Sequence, residues 1–245
     1  MRVLIAIDDT DDIGTKGTGE ILEELCAKLK NEFGGKYSRV TRHQLLVHDD
    51  IPYTSHNSSM CCEAEFDGAN LDRVKDHSIR FLKNNCAERS DPGLCIAVTD
   101  NLEPDSLTKL INWGYSAKKK VLTKDSAYKL ASETGIHLSE HGGTGDGVIG
   151  ALAGAGLRLT GNDGRFKGKF DLPAPDGYLT VKDIEGSDHI DEVSDEQFNR
   201  IPSGEKIYIS DKIKTVMYGH KSVLLVKKNE EGRFVNLSRK EIKEL

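Results

Sequence analysis

Residues 3–7, Val-Leu-Ile-Ala-Ile, form an unbroken apolar run that meets four acids within five positions: Asp8, Asp9, Asp11 and Asp12. An apolar run rich in branched residues suits a strand covered on both faces. Its abrupt end therefore puts crowded carboxylates at the rim of a buried sheet, where they repel one another unless a cation offsets them. Beyond the loop of residues 9–17, apolar residues recur at Ile21, Leu22, Leu25, Cys26 and Leu29, the spacing of an amphipathic helix closed by Gly34-Gly35. Strand-like stretches at 37–48 and 59–66 follow. A second helix is marked by Leu71, Val74, Ser78, Phe81 and Leu82, and a fourth strand lies at 94–98. The order β-α-β-β-α-β is that of a ferredoxin-like, split-βαβ region.

Residues 104–113 and 126–133 read as further helices, separated by Lys118-Lys119-Lys120. A glycine-rich turn at 141–147 opens into a helix of small residues. From about residue 171 the pattern changes to short strands at 206–210, 222–227 and 234–237, with a short closing helix. The segment 183–196 holds seven acids and no Lys or Arg, and reads as a solvated loop or tail-like insertion. The expected fold class is α+β, with a core at 1–170 that includes the ferredoxin-like region and a small β-rich C-terminal extension at 171–245.

With 37% hydrophobic and 30% charged residues and only 6 Pro among 245, the chain has the composition of a folded, soluble protein. No apolar run approaches the roughly 18 to 20 residues of a membrane span, so a cytoplasmic protein without membrane attachment is expected, and a homo-oligomer is compatible with the sequence. A net charge of -6 supplies no overall positive field to gather nucleic acid, so tRNA is admissible but not favoured as a partner. The five cysteines include no C-x-x-C pair. Cys61 and Cys62 fall in a strand-like run that points them to opposite faces, which suits buried structural thiols better than zinc.

Hard oxygen ligands at a strand end suit Mg²⁺, which usually takes one or two carboxylates, waters and substrate phosphates. The bland alternative is a charged turn facing water. Gly14-Thr15-Lys16-Gly17-Thr18-Gly19 leads into a helix N-terminus, where free N–H groups favour phosphate; here the alternative is a simple Thr15 or Thr18 N-cap. Gly143, Gly145 and Gly147 form a second candidate phosphate turn, although the string from Gly145 to Gly150 is a weak dinucleotide fingerprint. Two loop clusters, His48 with Tyr53, His56 and Asn57, and His137 with His141, could contact phosphate or relay protons, but histidines in loops are more often simply exposed.

These motifs resemble those of the tRNA agmatinylcytidine (agmatidine) synthetase family. The resemblance is carried by Ile7-Asp8-Asp9-Thr10-Asp11, Gly17-Thr18, Ile51-Pro52-Tyr53, Asp91-Pro92-Gly93 and the run from Gly145 to Ala153. It spans about the first 155 to 160 residues. It implies a kinase-like catalytic region with an associated ferredoxin-like region, using ATP and Mg²⁺ to activate an acceptor by phosphorylation. It also implies metal at Asp8, Asp9 and Asp11, ATP phosphates near Gly17 and Thr18, and catalysis through Asp8, Asp9 and Thr18. The family's oligonucleotide-binding and zinc-ribbon regions have no counterpart in these residues, and Gly17-Thr18-Gly19 stands where the family has Cys-Thr-Thr.

The expected function is thus Mg²⁺-dependent, ATP-using phosphoryl transfer or ligation on an unidentified acceptor. The alternatives are a non-catalytic nucleotide-sensing module and a tRNA-modifying enzyme that needs a separate RNA-binding partner.

Overall fold

The computed structural model describes residues 1–51 and 57–244, so Pro52, Tyr53 and His56 lie outside the described residues. Among the described residues there are thirteen strands and seven α-helices, an α+β protein that divides into two compact units, Met1–Thr160 and Gly161–Leu245. The division falls ahead of the composition change at 171. No helix among the described residues is long and apolar enough to cross a membrane.

The first unit runs β1 (Arg2–Asp8), α1 (Thr18–Phe33), β2 (Lys36–Tyr37), β3 (Thr41–Gln44), β4 (Ser58–Glu65), α2 (Leu71–Asn85), β5 (Gly93–Val98), α3 (Pro104–Ala117), α4 (Lys124–Thr134), β6 (His137–Glu140) and α5 (Gly147–Leu159). Its strands lie in the order β6-β5-β1-β4-β3, every neighbour antiparallel, with β2 also paired to β4. The expected single strand over 37–48 is therefore two short ones, parted around residues 38–40.

Alternation along β1 sorts its side chains into two layers. Val3, Ile5 and Ile7 pack with α1 and α2, while Leu4 and Ala6 pack with α3, α4 and α5. The sheet is buried on both faces, which is why β1 reads as a continuous apolar run. Cys61 and Cys62 follow the same rule, one in each layer. α1 buries Ile21, Leu22, Leu25, Cys26 and Leu29 and stops at Gly34, whose N–H still bonds to Lys30 O and whose positive φ then turns the chain out of the helix.

α5 is buried along nearly its whole length because its residues are small enough for backbone to meet backbone. A Cβ at Gly156 would come within 2.1 Å of Leu110 O, and one at Gly114 within 2.8 Å of Leu157 N, so α3 and α5 touch through missing side chains. A Cβ at Gly154 would come within 2.2 Å of Ser59 Oγ on β4.

The second unit contains β7 (Arg165–Phe166), β8 (Tyr178–Thr180), α6 (Val181–Glu185), β9 (Glu192–Asp195), β10 (Lys206–Tyr208), β11 (Val216–Tyr218), β12 (Lys221–Lys228), β13 (Phe234–Asn236) and α7 (Arg239–Glu244). β12 pairs antiparallel with β11 and β13 and parallel with β9. This corrects the expectation for 183–196. The segment is no solvated insertion: a Thr180–Asp183 capping box starts α6, and Ile184, Ile190 and Val193 enter the core. Two of its acids are held by cations, Glu185 by Arg200 at 3.0 Å and Glu192 by Lys221 at 2.7 Å.

Gly156→Ala should destabilise the protein by on the order of 2 kcal/mol, because overpacking against the rigid Leu110 carbonyl outweighs the roughly 1 kcal/mol gain in helix propensity. Urea unfolding checks this; an equally or more stable variant would mean that α3 and α5 can separate freely.

Candidate functional site

The end of β1 is shaped by the approach of α5. Asp8 lies opposite Gly93 at the start of β5, and Gly93 and Gly147 meet backbone to backbone. A Cβ on Gly93 would fall 2.2 Å from Gly147 C, and one on Gly147 would fall 2.0 Å from Asp91 O. One turn into the helix, a Cβ on Gly150 would fall 1.6 Å from Asp8 Oδ2. The Asp8 carboxyl thus occupies the space that a side chain at 150 would take.

Directly after β1 the chain turns through Asp9, a non-glycine residue with φ of 50°. The Thr10 carbonyl accepts the Ala87 N–H at 3.0 Å, while Thr10 Oγ1 is buried without a hydrogen-bond partner in the protein. Thr15 closes the following turn by accepting from Asp12 N at 2.8 Å and donating to Asp12 O at 2.9 Å.

Gly17 caps α1 with no side-chain bond, so neither Thr15 nor Thr18 serves as its N-cap. The buried Thr18 hydroxyl instead donates to Asp11 Oδ1 at 2.7 Å.

Burial pushes the Asp8 carboxyl up to about 8, with the Asp9 charge adding to it and Asp11 contributing less; the Asp9 backbone and Arg42 pull in the opposite direction. Asp9 is pushed up to about 6, again first by burial, then by Asp91, Asp11 and Asp146. The acidic cluster is therefore wider than the sequence reading proposed. Asp91 and Asp146 both act on Asp9, and in the sequence they stand only as parts of the Asp-Pro-Gly and glycine-rich motifs. An Asp at the foot of a strand, and another between two glycines of a turn, were the available signals.

The glycine turn folds around the protein's own carboxylates. Asp91 accepts from Thr144 N and, at 3.0 Å, from Thr144 Oγ1. A Cβ at Gly143 would overlap Asp91 Oδ1, and one at Gly145 the Glu140 carboxylate, each at 1.4 Å. Both glycines have positive φ. Lys124 ties the turn to α4 through Thr144 O at 2.6 Å and Glu140 at 2.9 Å.

His137 on the half-buried β6 and His141 just after it are joined through the Ser139 hydroxyl at 3.0 and 2.9 Å, and burial holds both below the usual imidazole range. His48 is exposed beside Asp50, and Asn57 donates to Leu46 O at 2.6 Å.

The cluster offers only oxygen donors, the type that suits Mg²⁺ rather than zinc. Among the described residues, no three His, Cys, Asp or Glu side chains converge into a ready metal cage, so the trio Asp8, Asp9 and Asp11 does not form one. Asp11 is engaged by Thr18. Asp8 and Asp9 still fit a cation that completes its shell with water and phosphate, since such an ion would offset both the burial and the neighbouring negative charge that push their carboxyls up.

Solved proteins that share this fold include enzymes named for tRNA. One is a tRNA fluorescent labeling enzyme, 27% identical over 64% of this chain and 36% of its own, with a TM-score of 0.54. Another is TiaS, an agmatidine synthetase of isoleucine tRNA, 21% identical without ligands over 83% of this chain and 49% of its own, with a TM-score of 0.55. TiaS bound to its isoleucine tRNA and ATP is 22% identical over 83% and 50%, again with a TM-score of 0.55. The chain spans between about a third and a half of the length of these proteins. No protein-family model and no curated protein matches it.

Because both carboxyls titrate higher folded than the ordinary 3.8, their stabilising contribution is complete below about pH 4 and is lost as pH rises through 6 and then 8. In chelator, the melting temperature should fall between pH 5 and pH 8.5 by on the order of 5 °C. Asp8→Asn should flatten that fall; an unchanged profile would place the Asp8 carboxyl in solvent.

Proposed function

We propose that the first unit binds ATP with Mg²⁺ and uses it for phosphoryl transfer or ligase-type activation of an acceptor, as an RNA-modifying enzyme. The observation that carries this reading is the acidic cluster of Asp8, Asp9, Asp91 and Asp146 gathered where β1, β5 and the start of α5 meet. Carboxylates crowded in this way bind a divalent ion well and an uncompensated phosphate badly. Asp8 and Asp9 would hold the ion, which when bound offsets negative charge on a phosphoryl group.

The chain's own groups supply the rest. Gly17 leaves open space at the first turn of α1, so the N–H groups there can face a phosphate. Asp11 fixes the Thr18 hydroxyl beside that turn. Gly143, Gly145 and Gly147 permit close approach of backbone around Asp91, and their part in phosphate binding would be through N–H groups of the turn and of α5. Catalysis in this scheme is positioning and charge neutralisation by Asp8 and Asp9, with Thr18 lining the phosphate site.

Two further points belong to the same reading. The antiparallel order β5-β1-β4-β3, with α1 and α2 on one face, supports a ferredoxin-like assignment, to which α3, α4 and α5 add a kinase-like layer. RNA is the favoured acceptor class because a structural neighbour is solved with tRNA and ATP together. The net charge argues only against a field over the whole molecule.

Calorimetry with ATP and Mg²⁺, followed by analysis of released or transferred γ-phosphate, tests the proposal and separates it from nucleotide sensing. Asp9→Asn should lower turnover by at least 100-fold, on the order of 3 kcal/mol of transition-state stabilisation, with the fold retained. Gly150→Ala should lose activity at a smaller cost in stability than a backbone clash, because its methyl group meets the Asp8 side chain, Oδ2, Cγ and Cβ, which must turn away. Gly147→Ala should lose stability instead, since its methyl group meets backbone. Nucleotide binding without turnover across RNA acceptors would favour the sensor; full turnover in Asp9→Asn would remove the metal assignment.

A further inference from the structure

The end of the first unit that carries the acids also carries exposed apolar and basic side chains. Ile13, Val47, Tyr115 and Val121 are 86%, 57%, 44% and 46% exposed, and they are the large exposed hydrophobics of that unit among the described residues. Ile13 belongs to the acidic loop after β1. Tyr115 and Val121 flank Lys118, Lys119 and Lys120 in the chain, and Val47 follows Leu46, which bonds to Ala117 just before them.

Hydrogen bonds fix the location of this rim. Leu46 N–H donates to Ala117 O at 3.0 Å, which ties the end of α3 to the loop after β3. Asn57 holds the same loop through Leu46 O at 2.6 Å, immediately before β4, where Met60 lies opposite Ile7. At the other end, Lys124 reaches Thr144 O in the glycine turn beside Asp91, and Glu140 at the end of β6. Residues 117–124 thus run from the β3–β4 end of the sheet to the edge of the acidic cluster. Lys119 and Lys120 N–H both donate to Ser116 O, at 2.9 and 2.8 Å, so the backbone of the lysine run is folded back onto α3. Lys119 and Lys120 are exposed.

We infer that this rim binds a single-stranded segment of the RNA acceptor, with Lys119 and Lys120 on its phosphates and Tyr115 under a base. A lysine run alone would be a solvated surface. Its pairing with an exposed aromatic and two exposed valines gives instead the combination that single strands use, charge for the backbone and a flat apolar face for the bases. The acidic cluster repels a polyanion, so an RNA brought to that end of the sheet needs a cationic border next to it. An acidic peptide would match the lysines but leave Tyr115, Val47 and Val121 without an apolar partner. The inference rests on the reading that the acceptor is RNA, and it assigns that acceptor a surface on this chain rather than on a separate partner.

The test is fluorescence anisotropy of the full chain with a labelled single-stranded RNA of about 12 nucleotides, a length in the range such surfaces cover. Salt is varied between about 50 and 200 mM. Lys119→Glu/Lys120→Glu should weaken binding at least tenfold and reduce the log–log salt slope by about 1.4, for two lost phosphate contacts on a single strand. Tyr115→Ala should weaken binding roughly tenfold with the salt slope unchanged, and Tyr115→Phe should restore it.

No RNA binding by the wild type, an unaltered slope in the lysine double variant, or equal competition by poly-glutamate would each overturn the inference. Calorimetry with Mg²⁺ and ATP on the same samples keeps the two readings apart. A chain that binds nucleotide but no RNA defeats the rim alone, whereas one that binds RNA through these residues but no nucleotide supports the rim and defeats the ATP site.

Discussion

Contact between two backbones with no side chain between them governs this molecule. Gly93 and Gly147 bring the start of α5 onto the end of β1 and the start of β5, and Gly150 leaves the gap that Asp8 enters. Were α5 held off by even one methyl group at 147, Asp8 would lose its cover and the helix start would move away from Asp91. The same helix depends on Gly114 and Gly156 against α3 and on Gly154 against β4. Close packing of this kind tolerates little volume change, so the acidic cluster inherits the rigidity of the core.

Much of the first unit could be read from the chain because its signals are local. The uninterrupted run at 3–7 announced burial on both faces, and the split of Cys61 and Cys62 between layers followed from strand alternation alone. The break between β2 and β3 could not be seen, since no proline or glycine interrupts residues 37–48. The segment 183–196 misled for a different reason: acid counting hid Ile184, Ile190 and Val193, spaced to serve a short helix and then a strand. Charge on one face says little about what the other face buries.

At the site, Asp8, Asp9 and Asp11 were visible because they adjoin in sequence. Asp91 and Asp146 reach the same place from distant positions, and only the fold brings them beside Asp9. Thr18 lay open to two readings, cap or functional group; its bond to Asp11 removes the first. The glycines at 143 and 145 looked like room for a ligand, and the space is used first by Asp91 and Glu140.

Adjacent residues that point into opposite layers have one more consequence. Cys61 and Cys62 are neighbours in the chain, yet each becomes reachable only when a different set of helices lifts from the sheet, α3 to α5 for the first and α1 with α2 for the second. The rates at which an alkylating reagent captures each thiol under native conditions would therefore time the opening of the two layers independently. The chain carries, in two consecutive positions, a separate clock for each half of its core.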